Sequence, residues 1–490
     1  MSGDSQLSAT ITETPPGLVQ ERPLCVDLDG TLVKSDTLVD SLLILLRRRP
    51  MLFVRALLRI GRGKAAVKEF VTRAVVLDVG GLPYNREVLR YLEEERGQGR
   101  PLYLVTGADL HLAARVAEHL RIFTGVLASN GGTNLTGVRK LAGLRAHFGP
   151  VAYDYIGNDT QDLPLLAESS RPMVANPSHR LRLRMRARGI QPVRQFEERK
   201  GLFASIFKVI RPHQWTKNLL MFLPMLLAHR VQFRSVLSAL FAFACFCLTA
   251  SATYMINDLL DIEVDRRHPQ KRLRPFASGD LPAVTGFLLI AVFLVPGFAG
   301  AELLPARFMV WLAIYVVMTL AYSLWLKRVA LADVLMLSGL YLTRIEAGGA
   351  ATRTLLSNWM VGFSIFLFLA LAFVKRFAEL ENLRLRSIAP RNDRGYHIAD
   401  LEQLRAFGTS SSYAAVVIFA IYINGRDVMA LYHHPSVLWL IVPLQILWLS
   451  RVWLFASRGE LDEDPVIFAL TDRLSLLIGA AVAAVAICAL

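Results

Sequence analysis

Apolar and polar residues are spread unevenly along the chain. Up to about residue 205, short apolar runs alternate with polar stretches of helical period; beyond it, long runs rich in Phe, Leu, Ala and Trp dominate. The pattern predicts an α/β domain of Rossmann-like type followed by an all-α membrane bundle. About nine apolar runs have the length of a spanning helix, near 217–230, 233–255, 283–303, 307–325, 330–347, 356–375, 410–425, 434–452 and 473–490. The polar lead 1–20, with its Thr and Pro, reads as disordered and lacks the apolar core of a signal peptide. The α/β domain is expected over 21–195, a linker over 196–210 and the membrane domain over 211–490.

Composition changes this picture in one respect. The chain has 490 residues, 53% of them hydrophobic, a mean hydropathy of +0.40 and a formal net charge of +15. In a soluble protein such an excess would suggest nucleic acid. In a membrane protein it reflects cytoplasmic loops and attraction to anionic lipid, so membrane lipids and no nucleic acid are the expected partners. The basic links are about 255–282, 326–330 and 375–407, with Lys327, Arg328, Lys375, Arg376, Arg384, Arg386, Arg391 and Arg394. By the positive-inside rule these links face the cytoplasm, and the N-terminal half lies on the same side. The four cysteines, Cys25, Cys245, Cys247 and Cys488, have neither metal-ligand spacing nor a disulfide pattern.

In the first half, three short apolar strands end in polar turns. Leu24–Val26 runs into Asp27-Leu28-Asp29-Gly30-Thr31, which sets two carboxylates at the carboxyl end of a parallel sheet. One can attack phosphorus, and the other can protonate the leaving oxygen. Pro101–Val105 ends in Thr106-Gly107, whose hydroxyl and amides suit a phosphate oxygen. Asp154–Ile156 ends in Gly157-Asn158-Asp159-Thr160-Gln161-Asp162, a further set of oxygen ligands for Mg²⁺, and Lys140 can neutralise a bound phosphate.

This ordered set resembles the haloacid dehalogenase (HAD) superfamily of phosphatases. The resemblance implies Asp27 as nucleophile, Asp29 as acid/base, Thr106 as phosphate holder and Lys140 as charge stabiliser. It implies a Mg²⁺ site from Asp27, Asp29, Asn158, Asp159 and Asp162, and a helical cap over about 35–92. Asn158 stands where the family's motif opens with aspartate. A HAD-like domain kept only for regulation or assembly is the competing reading.

The membrane half opens its chemistry with Asn257, Asp258, Asp261 and Asp265, followed by the basic tail Arg266 to Arg274. Asp258, Asp261 and Asp265 stand at i, i+3 and i+7, one face of a helix. Carboxylates so arranged repel unless a cation joins them, and hard oxygen ligands favour Mg²⁺ bridging to a substrate phosphate. A solvated charged loop that merely fixes topology is the competing reading. Cations and polar groups recur near the other cytoplasmic ends: Lys217, Asn218, Lys271, Arg274, Tyr322, Lys327, Tyr341, Arg344, Lys375 and Arg376, with Glu379 a candidate for a second metal. They are candidates for holding phosphates.

The stretch 205–490 resembles the UbiA superfamily of intramembrane prenyltransferases. Asn257, Asp258, Asp261 and Asp265 match its first aspartate motif, and Tyr322 with Lys327 matches its Tyr/Lys element. Lys375, Arg376 and Glu379 replace the usual second aspartate series. With the strings Arg211–Asn218, His268–Pro275 and Asp464–Ala469, this is similar to the decaprenyl-phosphate phosphoribosyltransferase branch. That likeness implies phosphoribosyl diphosphate (PRPP) and a polyprenyl phosphate as substrates, and the inner membrane of a bacterium as location, with the HAD half cytoplasmic. A homo-oligomer is compatible with the sequence. Prenyl transfer to a quinone precursor and a non-catalytic membrane scaffold are the alternatives.

Overall fold

The computed structural model describes residues 22–59, 61, 63–130, 134–385, 395–461 and 465–490. The polar lead, Arg386, Arg391, Arg394 and Asp464 lie outside these. The chain divides into two compact units, Met1–Ile210 with Tyr254–Leu289, and Arg211–Thr253 with Ile290–Leu490.

In the first unit the elements run β1 (Leu24–Val26), α1 (Thr37–Arg48), α2 (Pro50–Leu58), α3 (Lys64–Ala74), α4 (Arg86–Gly97), β2 (Leu102–Asp109), α5 (Leu110–Leu120), β3 (Gly125–Ser129), α6 (Val138–Phe148), β4 (Asp154–Gly157), α7 (Leu163–Glu168), β5 (Pro172–Ala175), α8 (His179–Ala187), β6 (Arg194–Phe196) and α9 (Leu202–Ile210). The six strands are parallel in the order β3-β2-β1-β4-β5-β6, with Cys25 level with Tyr103 on one side and Tyr155 on the other. Leu24 and Val26 face one core, with residues of α1, α3, α4 and α5; Cys25 faces a second, with residues of α6, α7 and α8. Alternation along one strand thus buries both faces, as a parallel sheet requires. The central position of β1 puts Asp27 and Asp29 at the middle of the sheet's carboxyl edge.

The segment expected as a cap begins as three helices, α1 to α3. Asp36 starts α1 by accepting the amides of Leu38 and Val39, and Leu43, Ile44 and Leu45 are buried. Asn85 caps α4, the crossover into β2.

The chain continues with α10 (Leu223–Leu227), α11 (Phe233–Leu260), α12 (Ile262–Arg267), α13 (Ala283–Ala301), α14 (Ala306–Leu324), α15 (Ala332–Ala351), α16 (Asn358–Leu385), α17 (Leu401–Ile423), α18 (Arg426–Leu431), α19 (Ile441–Ser457), α20 (Pro465–Thr471) and α21 (Arg473–Ala489). The unit boundary runs through α11 and α13. Among the described residues six helices are long and apolar enough to cross a membrane: α11, α13, α14, α16, α17 with its lead (Ile398–Ile423) and α19 with its lead (Pro435–Ser457). The expected nine are not all of this kind. The run near 217–230 is a 3₁₀ helix, Pro212–Phe222, followed by the short α10. The run near 330–347 is the 20-residue α15, which carries Asp333, Arg344 and Glu346, and α21 has only 17 residues. In the second unit α15 touches the 3₁₀ helix backbone to backbone, since a Cβ on Gly348 would stand 2.0 Å from the Met221 carbonyl oxygen.

Candidate active sites

The first site lies at the carboxyl end of β1. Lys140, from the first turn of α6, donates to Asp27 Oδ1 at 2.7 Å and to Asp162 Oδ1 at 3.1 Å. Tyr155 donates to the same Asp162 oxygen at 2.8 Å, while the other oxygen accepts the Asn158 and Asp159 amides at 3.1 and 3.4 Å. Both oxygens of Asp162 are therefore engaged. Its carboxylate thereby holds the Lys140 ammonium beside Asp27. The Asp159 side chain is likewise drawn into the turn, accepting from Ser178 Oγ at 3.2 Å and capping the turn Thr160–Asp162. Asn158 lies against the motif turn: a Cβ on Gly30, whose φ is +77°, would meet its Nδ2 at 1.9 Å.

Charge in this site is set by burial. Burial pushes Asp27 up to about 6 against the pull of Lys140. Asp29 is pushed up to about 8, first by burial and then by Asp36, the direction that favours the protonated form a general acid needs. Lys140 is raised despite burial, because Asp162 and Asp27 face it. Asp29 Oδ1 accepts the amide of Thr37 at 2.8 Å, so α1 begins on the acid itself. Thr106 is buried near the end of β2, where its hydroxyl accepts the Ala108 amide at 3.0 Å. Lys68 of α3 reaches the Gly107 carbonyl and, at 3.2 Å, Asn134; sequence reasoning passed over it.

The second site is the acidic loop after α11. The three aspartates do not share one continuous helix. α11 stops at Leu260, Asp261 sits at φ −93° and ψ 6°, and α12 begins anew. Asp258 and Asp265 nevertheless converge, at 3.1 and 2.6 Å from a single nitrogen of Arg274, Nη1. Asp261 lies 3.3 Å from Arg47 of α1. Burial pushes Asp265 up to about 6, with Arg274 opposing and Asp258 adding to the rise. Asn257 accepts the Asp261 amide on its carbonyl at 2.9 Å, and the Lys271 amide donates to His268 Nδ1 at 3.3 Å. Among the described residues no three His, Cys, Asp or Glu side chains gather as a metal-holding group. A pair of carboxylates meeting at one cationic point suits Mg²⁺ nonetheless, since that ion commonly takes one or two carboxylates and completes its shell with water and substrate phosphate.

In the second unit two arginines expected to hold phosphates are engaged by the protein. Arg344 is 4% exposed; its Nε donates to Asn218 at 2.9 Å, Nη1 to the Leu340 carbonyl and Nη2 to Tyr315 at 3.5 Å. Asn218 in turn donates to Cys247 Sγ at 3.2 Å. Arg376 is 2% exposed and bonds Asp333, Glu379 at 2.7 Å and Tyr322 at 3.1 Å; Tyr396 also donates to Asp333. A cation at membrane depth must be paired. The sequence could not disclose which partners the fold would bring, and Tyr315 and Tyr396 went unnoticed. Lys217 Nζ stands 5.9 Å from the centre of the Tyr341 ring, which stacks on Phe368 at 4.8 Å. Lys327 lies in the turn Leu326–Arg328, and Lys375 next to Arg376 on α16.

The model of the UbiA prenyltransferase family matches residues 219–477. The uncharacterized protein y4nM of Sinorhizobium fredii is 36% identical over 469 residues, 94% of this chain and 90% of that protein. The nodulation protein NoeC of Azorhizobium caulinodans is 33% identical over 278 residues, 56% of this chain and 90% of NoeC. The decaprenyl-phosphate phosphoribosyltransferase of Mycobacterium tuberculosis is 36% identical over 232 residues, 46% of this chain and 76% of that enzyme. The chain belongs to the UbiA prenyltransferase family of integral membrane transferases, joined to an N-terminal α/β half built on a six-stranded parallel sheet.

Proposed function

We propose that the membrane half transfers the 5-phosphoribosyl group of PRPP to a polyprenyl phosphate, and that the HAD-like half then removes the 5-phosphate. The observation that carries this reading is the convergence of Asp258 and Asp265 on one cationic point, in a chain similar to a decaprenyl-phosphate phosphoribosyltransferase. Asp258 and Asp265 would hold Mg²⁺, which supplies charge stabilisation for the departing diphosphate. Arg274, relieved of the two carboxylates, turns to a diphosphate oxygen, with Asn257 and Lys271 beside it. The C1–oxygen bond to diphosphate breaks as an oxygen of the lipid phosphate forms the new bond to C1. Lys217, Tyr322, Lys327 and Lys375 are the candidates for orienting the lipid phosphate, while Arg344 and Arg376 keep their helices in place.

In the HAD-like half Asp27 attacks the 5-phosphate and Asp29 gives its proton to the leaving ribose oxygen. Thr106 and Lys140 balance charge on the phosphoryl group; water then releases phosphate from Asp27. Asp27, Asp29, Asn158, Asp159 and Asp162 are the candidates to hold a second Mg²⁺, which would balance charge on the phosphoryl group. Fusion places the second step beside the first at high effective concentration. The basic links support a cytoplasmic position for the HAD-like half, at the inner membrane of a bacterium.

The test incubates detergent-purified protein with Mg²⁺, PRPP and a short polyprenyl phosphate, followed by mass spectrometry of the lipid. A lipid-phosphoryl ribose lacking the 5-phosphate is expected, replaced by its phosphorylated form in Asp27→Asn. Phosphate release unchanged in Asp27→Asn defeats the second step. No ribosylated lipid, with transfer from a prenyl diphosphate instead, defeats the first.

A further inference from the structure

Within the first unit, α1 touches both candidate sites. Its first amide, that of Thr37, is bonded to Asp29 at 2.8 Å. At its other end Arg47 pairs with Asp261 at 3.3 Å and donates to the Leu260 carbonyl at 3.4 Å, where α11 breaks. Thr37 and Arg47 stand at opposite ends of α1, roughly 15 Å apart along its axis.

The contact does not rest on Arg47 alone. Arg48 reaches both oxygens of Glu263, at 2.7 and 2.8 Å. In the opposite sense Arg266 of the loop reaches Asp40 of α1 at 2.8 Å and Ser35 at 3.1 Å. That pair is desolvated, with side chains 5% and 1% exposed, so losing either partner strands a buried charge. Lys34 pairs with Asp280 at 3.7 Å, and Gly279 approaches so closely that a Cβ would stand 2.6 Å from that of Lys34. In these four pairs a charge on one segment faces its opposite on the other. The acidic loop is therefore shaped by the HAD-like half as well as by its own helices.

We infer that Arg47 is a positioning residue of the transferase: from the HAD-like half it holds Asp261 and the break at Leu260 so that Asp258 and Asp265 converge. The inference rests on the transferase reading only for what the loop does. The contact itself can be tested without substrate.

The experiment is hydrogen–deuterium exchange on the full chain in detergent, without added metal, comparing Arg47→Ala, Arg47→Lys and Arg47→Gln with the unaltered protein. Arg47→Ala should speed exchange over residues 256–282 by about tenfold, the order expected for one charge-assisted hydrogen bond. The sheet should stay as protected as before, and Arg47→Lys should recover most of the loss. The half-saturating Mg²⁺ for transfer should rise in step, with the maximal rate little changed. If Arg47→Ala opens the sheet as well, Arg47→Gln, which keeps the packing, takes its place with the same expected result. Loop exchange as slow as in the unaltered chain overturns the inference, whatever group the enzyme transfers. An unaltered chain that transfers no ribose defeats the proposed function, and the exchange comparison still decides this one.

Discussion

Lys140 lies 2.7 Å from Asp27, and the same ammonium holds Asp162 at 3.1 Å. Two buried carboxylates thus depend on one cation. Replacing Lys140 by Met leaves them facing each other, at a cost of about 3–5 kcal/mol in stability for a buried charge left unpaired. Phosphate release should fall about 10²–10³-fold, as for removal of one group that stabilises developing charge. A thermal melt and a phosphate-release assay on a soluble phosphomonoester would check both, with ribose transfer expected to persist.

Asp265 shares one guanidinium nitrogen of Arg274 with Asp258. Asp265→Asn and Asp258→Ala should each lower transfer by about 10²-fold or more, by removing one of two carboxylates available to the ion. Release of phosphate from a soluble ester should be unaffected. Chelation of Mg²⁺ should silence both activities, and readdition should restore them; transfer undiminished in chelator would contradict the metal reading.

Arg376 and Asp333, 2% and 0% exposed, form the best-buried ion pair of the membrane helices among the described residues. Asp333→Ala should cost about 3–5 kcal/mol, since it strands the guanidinium. The measurement is thermal stability in detergent, followed by tryptophan fluorescence. Arg376→Lys, which keeps the charge but cannot bond Asp333, Glu379 and Tyr322 together, should cost less than Asp333→Ala but more than nothing.

Asn158 lies against the Gly30 turn while both oxygens of Asp162 are occupied. In the proposed phosphatase site Asn158 offers an amide oxygen where an aspartate would bring a charge to the metal. Asn158→Asp should lower the half-saturating Mg²⁺ for phosphate release by roughly tenfold, about one charge-assisted interaction. A titration with the soluble ester would show it; an unchanged midpoint would place the metal elsewhere.

The α/β half was legible because its signals are local. An apolar triplet followed by Asp-x-Asp-Gly-Thr marks a central strand, and the structure puts Asp27 and Asp29 just after β1, Asp162 just after β4, Thr106 within β2 rather than past its end, and Lys140 in the first turn of α6. The role of Asp162 was not legible, since it turns on four donors drawn from Lys140, Tyr155 and two amides. In the membrane half apolar length found the long helices, but it counted α15 among ordinary spans although Asp333, Arg344 and Glu346 are set in it. The helix break at Asp261 left no mark in local propensity. Nothing near Arg47 points to Asp261, because the pairing crosses more than two hundred residues of chain.

The first compact unit is discontinuous: Met1–Ile210 is joined by Tyr254–Leu289 only after α11 has been made. During synthesis, which runs from the N-terminus, the sheet and α1 can be complete before the acidic loop exists. The loop then emerges onto a preformed surface that already displays Arg47, Arg48, Asp40 and Lys34. A chain shorn of the N-terminal half would have to shape its acidic loop unaided.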